Sequence, residues 1–94
     1  MPEKTVIRKI PAGKLVRMDI TYSDQIDELI ITGDFFLHPE ETLDAIVSEL
    51  KKASLPLQPG MVLTRLENLL TEMNAQLIGV CPEDFVSILD EALS

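Results

Sequence analysis

The sequence predicts an α+β fold, in which a small antiparallel sheet of two or three strands precedes about three helices packed on one of its faces. Alternating and β-branched apolar residues lie in the first third of the chain, whereas apolar residues at helical spacing begin near residue 39 and recur to the end. The 94 residues suit one domain, 1–94, with a single small core. A content of 46% hydrophobic and 26% charged residues is typical of a folded globular chain.

Two strands are predicted before residue 23. Thr5–Ile10 is a short run with β-branched residues that ends at the loop-forming residues 11–13, so we expect an edge strand or an extended arm. Lys14–Tyr22 alternates between apolar and polar side chains and is predicted to be a strand with one buried face. That face carries Val16, Met18, Ile20 and Tyr22.

A third strand should complete an antiparallel hairpin with the second. Residues 23–25, Ser-Asp-Gln, have turn chemistry, and Ile26–Thr32 then returns as a strand. Leu29, Ile30 and Ile31 are consecutive and apolar, so both faces of this strand carry apolar side chains. We therefore expect it to lie inside the sheet or beneath a partner.

The first helix is predicted to begin at Pro39, because proline suits the first helical position. His38 would then be at the cap, and the carboxylates of Glu40 and Glu41 would favour the positive end of the helix dipole. The apolar stripe of this helix has spacing i, i+3, i+4, i+7. It comprises Leu43, Ile46, Val47 and Leu50.

Two further helices follow a loop over residues 54–60 that contains two prolines and a glycine. One runs from about Met61 to Met73, and the other begins at the signal Cys81-Pro82-Glu83-Asp84. Residues 74–79 fit either a helix extension or a turn. The stripe of the last helix comprises Phe85, Ile88, Leu89 and Leu93.

The stretch 29–39, LIITGDFFLHP, connects the sheet to the helices and holds two adjacent phenylalanines. If the strand continued through Phe35 and Phe36, the two rings would point to opposite faces, and a single core could bury only one of them. The other ring would then stay exposed unless a partner surface covered it. Alternatively, Gly33 bends the chain and both rings turn inward.

Charge is distributed unevenly along the chain. Residues 1–17 hold five basic groups and one acidic group, whereas residues 18–94 hold three basic and fifteen acidic groups, which gives the net −8. An acidic body argues against nucleic-acid binding, since phosphate contacts need clustered Lys and Arg. No run is long enough to span a bilayer and no signal-peptide core is evident, so we expect a cytoplasmic protein without a membrane partner.

The residues do not indicate catalysis. There is a single histidine, no nucleophile with triad spacing, and no glycine-rich phosphate loop. Cys81 stands alone, which excludes a disulfide framework within the chain and a cysteine-based zinc site. Asp34 has two readings, since its carboxylate could hold the bend after Gly33 or face a partner. We expect no catalytic residue, metal ligand or cofactor-binding residue in this chain.

The placement of Gly33-Asp34-Phe35-Phe36 carries a family resemblance. These residues end a strand-turn-strand unit that starts at Gly13-Lys14-Leu15-Val16, and they precede the helix predicted at Pro39. This arrangement resembles the accessory domain of lipoate-protein ligases, which in some organisms is a separate small protein. The resemblance covers residues 8–55 well and the remainder in its helical pattern.

The resemblance implies a non-catalytic subunit that forms a heterodimer with the catalytic subunit of the ligase. In that family the catalytic subunit binds ATP, magnesium and lipoate, forms lipoyl-adenylate, and transfers the lipoyl group to a lysine of an acceptor domain. The accessory piece is needed for the adenylate-forming step and would bind no cofactor itself. Gly33, Asp34, Phe35, Phe36 and His38 are the residues expected at the contact between the subunits.

An alternative function uses Cys81. The accessory fold also resembles that of small iron-sulfur assembly proteins, some of which accept sulfur on a cysteine. Cys81 would then be the acceptor, because the chain lacks the several cysteines of a cluster scaffold. The third hypothesis is a generic interaction domain with no link to lipoate.

Overall fold

The three longer strands form an antiparallel sheet in the order β1-β2-β3. In the computed structural model, which describes residues 2–11 and 14–93, these strands are β1 (Glu3–Lys9), β2 (Leu15–Tyr22) and β3 (Ile26–Gly33). Val6, Met18 and Ile31 form one cross-strand row and are all buried. The alternation along the sequence therefore predicted the inner face correctly.

Three helices lie on the inner side of the sheet: α1 (Thr42–Lys51), α2 (Pro59–Glu72) and α3 (Pro82–Leu93). Helices α1 and α3 contact the sheet, and α2 packs against both of them. Each helix buries part of the apolar stripe expected from its spacing, while Leu43, Val47 and Leu93 are only partly buried. The fully buried members of these stripes are Ile46, Leu50, Leu66, Phe85, Ile88 and Leu89. The predicted α+β class is confirmed.

The start of α3 agrees with its sequence signal. Cys81 immediately precedes the helix, and its backbone N–H donates to the Asp84 carboxylate at 2.9 Å. In return, the Asp84 backbone N–H donates to the Cys81 carbonyl at 3.0 Å. This pair of bonds is a capping interaction, which satisfies groups that a helix end leaves without partners.

Helix α3 is joined to the edge strand β1 by polar contacts. Arg8 donates from Nη1 to Ser87 Oγ at 2.7 Å, and its Nη2 forms an ion pair with Glu91. Arg8, one of the five basic residues in 1–17, is therefore paired within the chain.

The predicted start of the first helix is wrong. Helix α1 begins at Thr42 and not at Pro39, because His38 belongs to a strand and residues 39–41 form the turn that redirects the chain. The Thr42 N–H accordingly donates to the Pro39 carbonyl at 3.0 Å. Glu40 and Glu41 therefore precede the first turn, whose acidic residue is Asp44.

Strand β3 was expected inside the sheet or beneath a partner; the first placement is wrong, and the second stays a prediction. It lies at an edge, because β2 pairs with both neighbours and β1 takes the opposite edge. Leu29 and Ile31 face the core, while Ile30 points outward and is 56% exposed. No element described by the structure covers the outer side of Ile30.

A second, smaller sheet was not predicted. It contains only β4 (Phe36–His38) and β5 (Gln76–Ile78), which pair antiparallel. Residues 74–79, for which helix and turn were both open, thus contain a strand. The predicted loop at residues 12 and 13, with Gly13 of the family pattern, lies outside the described residues.

Candidate partner-binding surface

Gly33 ends β3 where the chain passes very close to the start of β2. A Cβ atom at Gly33 would overlap the Leu15 carbonyl oxygen and lie 2.7 Å from the Phe35 ring. Real side chains do not tolerate such distances, so this position requires glycine. The close approach lets the Asp34 N–H donate to the Leu15 carbonyl at 3.0 Å.

Phe35 turns inward after this bend. Its ring packs edge-to-face on the fully buried Phe85, with centroids 5.5 Å apart and an interplanar angle of 84°. Such pairs contribute about 0.5–1.5 kcal/mol beyond the burial of their area. Phe35 therefore anchors the segment to α3.

Phe36 points the other way. It begins β4, and the register pairs it with Ile78, Leu37 with Leu77, and His38 with Gln76. Leu37 and Leu77 are half-buried against the core. Phe36 is 71% exposed and Ile78 is 60% exposed.

The outward side of the small sheet forms one surface, because residues two apart in a strand share a face and paired residues lie side by side. We call this surface the β4–β5 face. It comprises Phe36, His38, Gln76 and Ile78.

The exposure of Phe36 and Ile78 leaves most of their burial energy unrealised within the chain. Full burial of a Phe or Ile side chain is worth about 1.5–3 kcal/mol, and neither Phe36 nor Ile78 gains this within the chain. Single exposed apolar residues are ordinary, whereas adjacent ones indicate an interaction site. The β4–β5 face is therefore the candidate partner-binding surface of this structure.

The five residues expected at the contact are thus neighbours along one bend but differ in position. Phe36 and His38 lie on the β4–β5 face, and Asp34 is exposed beside it. Gly33 and Phe35 shape and anchor the bend. Of the two arrangements considered for the rings, the one in which both turn inward is wrong, although the chain does bend after Gly33. The predicted placement of His38 at a helix cap is wrong. The role of these residues in a contact stays a prediction.

Sequence reasoning missed Gln76 and Ile78. Three residues are too few to show strand periodicity, so the stretch carried no pattern. A usable signal was present in the flanking residues. Asn74 has φ 52° and Gly79 has φ 87°, and Asn and Gly are the residues that adopt positive φ and so end a helix or turn a chain.

Other chemically distinctive groups lie elsewhere. On the outer side of the larger sheet, the Asp19 carboxylate accepts from Thr5 Oγ1 at 2.7 Å and from Arg17 Nε at 3.0 Å. The bond from Arg17, followed by that from Thr5, lowers the pKa of Asp19 below its usual value. Cys81 is exposed at the start of α3.

Residues 2–11 and 14–93 show neither a metal-ligand cluster nor a membrane-spanning helix. No group of three or more His, Cys, Asp or Glu side chains is arranged to hold a metal ion there. None of the helices in the same ranges has the length and apolar character needed to cross a membrane.

Comparison with known proteins gives a similarity in fold. No family model matches the chain, and no curated protein matches its sequence. The chain is similar to a solved structure from Thermoplasma acidophilum over 94% of this chain and 97% of that chain. That structure is described as a structural analysis of an archaeal lipoylation system, with a bipartite lipoate protein ligase and its E2 lipoyl domain. The TM-score is 0.69 and the sequence identity is 21%. The present chain therefore shares its fold with a protein from the structure of that lipoylation system.

Proposed function

We propose that this chain is the non-catalytic accessory subunit of a bipartite lipoate-protein ligase and acts in the cytoplasm. The observation that carries the proposal is the exposed cross-strand pair Phe36 and Ile78, which occurs on a fold shared with a protein from a bipartite ligase system. The buried centre of a protein–protein interface is more apolar than the remaining surface, so an exposed apolar pair suits a subunit that works through a partner.

The proposed role is conformational. The catalytic subunit binds ATP, magnesium and lipoate, and the accessory subunit binds the catalytic subunit through the β4–β5 face. Phe36 and Ile78 become buried in the complex, and their burial energy stabilises the closed arrangement of the catalytic subunit. In that arrangement lipoate and ATP are aligned and shielded from water, which accelerates adenylate formation.

The bend positions this surface. Gly33 allows β3 to end against Leu15, and Phe35 holds the following residues on Phe85. The two anchors fix the direction in which β4 leaves the larger sheet. The surface is thereby preorganised, which reduces the entropy lost on binding.

The test is ATP-dependent formation of lipoyl-adenylate by the catalytic subunit of the same organism, with and without this chain. We expect adenylate to form only when both proteins are present. Full activity of the catalytic subunit alone, or absence of binding, would overturn the proposal. Mass spectrometry of both proteins after the reaction adds a separate criterion, because a lipoyl group on a lysine of this chain would identify it as the acceptor instead.

A pair of variants tests the surface itself. The double substitution Phe36→Ala and Ile78→Ala should weaken the complex by at least about tenfold, since two apolar anchors are lost. Met61→Ala is the matched control, because Met61 is an exposed apolar residue on α2, outside the β4–β5 face. Equal affinities for the wild type and the double variant would exclude this face as the contact.

The exposure of Cys81 supports a second candidate, a sulfur acceptor. The sulfane sulfur of a desulfurase cysteine persulfide would pass to the Cys81 thiolate, and the desulfurase cysteine would be released as a thiol. Mass spectrometry after incubation with a desulfurase and cysteine should then show a gain of one sulfur atom on Cys81. Unchanged biological activity of Cys81→Ser would end this candidate.

A further inference from the structure

The outer face of the larger sheet differs in charge from one end to the other. The register places four cross-strand rows on it: Lys9 with Leu15; Ile7 with Arg17 and Thr32; Thr5 with Asp19 and Ile30; and Glu3 with Thr21 and Glu28. The row of Lys9 and Leu15 is basic and apolar, whereas the row of Glu3 and Glu28 at the opposite end is acidic.

The basic end also carries exposed apolar side chains. Ile7 is 60% exposed and Leu15 is 48% exposed. They are diagonal neighbours, because Leu15 pairs with Lys9, two residues along β1 from Ile7. Lys9 forms no ion pair with any residue that the structure describes, whereas the charge of Arg17 is balanced by Asp19.

This basic end adjoins the β4–β5 face. The Leu15 carbonyl accepts from the Asp34 N–H at 3.0 Å, two residues before Phe36. A Cβ atom at Gly79, the neighbour of Ile78, would lie 3.2 Å from Lys14 Cγ. Lys14 therefore passes over the end of β5, and its ammonium group, like that of Lys9, has no ion-pair partner among the residues described.

Size indicates that the two surfaces act together. Two strands of three residues cover only about 10 by 10 Å, since residues are spaced by about 3.4 Å and strands by about 4.8 Å. A stable interface buries about 800 Å² on each partner. The β4–β5 face alone falls well below this area, and the adjoining end of the sheet extends it with further apolar side chains.

We propose that Lys9 and Lys14 flank an apolar strip made of Ile7, Leu15, Phe36 and Ile78 as a basic rim, and that this strip docks on an apolar, acid-rimmed surface of the catalytic subunit. This inference rests on the proposed function and specifies the chemistry of the partner surface. Residues 18–94 carry a balance of three basic against fifteen acidic groups, so an acidic surface is repelled by most of this chain and attracted at Lys9 and Lys14. Asp34 adds one exposed negative charge beside Phe36, which confines the attraction to the end of the strip that the two lysines flank. Such an arrangement orients the two proteins before contact and raises the association rate.

The experiment compares two double charge reversals that change the net charge by the same amount. Lys9→Glu with Lys14→Glu alters the rim, and Lys51→Glu with Lys52→Glu alters the end of α1 as a matched control. Association rates with the catalytic subunit are measured at about 0.01 M and about 1 M salt, where the screening lengths are about 30 Å and about 3 Å. Circular dichroism confirms that both variants are folded, and Lys9→Ala with Lys14→Ala replaces the rim variant if it is not.

We expect the rim variant to associate at least about tenfold more slowly than wild type at low salt, with the difference lost at high salt. The control should change the rate by less than about threefold. Equal rates for the rim variant and the control, with wild-type binding intact, overturn this inference and leave the proposed function standing. Absence of wild-type binding overturns both. Self-association of this chain that the rim variant abolishes, seen by analytical ultracentrifugation, assigns the strip to a second copy and overturns the choice of partner.

Discussion

The two sheets of this protein bury their apolar residues to very different extents. The larger sheet places Val6, Met18 and Ile31 under the helices, where each is less than one-tenth exposed. The smaller sheet buries Leu37 and Leu77 only in part and leaves Phe36 and Ile78 open. A two-stranded unit of three-residue strands has little stability of its own, so the small sheet depends on its contacts with the rest of the fold. The larger sheet therefore stabilises the fold, whereas the smaller sheet presents an exposed apolar surface.

The adjacent rings of Phe35 and Phe36 show the same contrast at the level of single residues. One ring contacts Phe85 in the core and the other is mostly exposed. A bend after Gly33 is sufficient to separate them, since it takes Phe35 out of any strand and starts a new strand at Phe36. Neighbouring residues of one type can therefore have separate roles.

The largest expected effect is on the free energy of unfolding and comes from a substitution in the core. Phe85→Ala should lower the free energy of unfolding by about 3–5 kcal/mol, because Phe85 is fully buried and also supports the ring of Phe35. Phe36→Ala should change it by less than about 0.5 kcal/mol, as is usual for exposed positions. Urea unfolding followed by circular dichroism measures both values. A large loss of stability in Phe36→Ala would mean that the small sheet contributes to the core after all.

A smaller effect is expected at the junction of the two sheets. Gly33→Ala should destabilise the protein by about 1–3 kcal/mol, because the new methyl group overlaps the Leu15 carbonyl oxygen, which belongs to the backbone and cannot rotate away. Gly60→Ala is the matched control, since no atom lies within 4 Å of its Cβ position and it is in the first turn of α2.

The control should be neutral or stabilising by up to about 1 kcal/mol, because alanine loses less backbone entropy than glycine on folding. Thermal unfolding of the two variants measures the difference. Equal melting temperatures would show that the close approach at Gly33 relaxes without cost.

The smallest effect concerns the outer face of the larger sheet. Bonds from Arg17 and Thr5 lower the pKa of Asp19, so the ionised carboxylate favours the folded state at pH values above its ordinary pKa. This contribution is lost as the pH falls through the lowered pKa of the folded protein. Because the groups are exposed and screened by solvent, the effect should be slight.

The measurement is the free energy of unfolding of wild type and Asp19→Asn as a function of pH. Wild type should be slightly more stable at pH 7, and the two curves should converge under acidic conditions. A difference that persists unchanged to low pH would assign the stabilisation to packing and not to ionisation.

Most of the larger sheet and the helices could be predicted from local patterns. The alternation in Lys14–Tyr22 identified the buried face of β2, and helical spacing identified the apolar stripes of α1 and α3. The second helix was predicted from Met61 to Met73 and runs from Pro59 to Glu72. These predictions succeed because burial of a repeated apolar pattern depends mainly on the period of the element that carries it.

The candidate surface could be predicted only in part. The adjacent phenylalanines pointed to residues 33–38, but Gln76 and Ile78 lie some forty residues away and enter only by pairing with β4. The resemblance to the ligase accessory domain was drawn from residues 33–36 and their placement, whereas the structural comparison shows only a fold shared with a protein from the structure of a bipartite ligase and its E2 lipoyl domain.

The sequence by itself determined the α+β class, the inner faces of the long elements, and the separation of a basic segment from an acidic body, because composition and periodicity act locally. The tertiary structure alone decided which strand lies at the edge, where α1 begins, and which apolar residues stay exposed. These features depend on contacts between distant segments, and three-residue strands carry too little local preference to specify them. The surface formed by Phe36 and Ile78 is therefore a property of the folded chain.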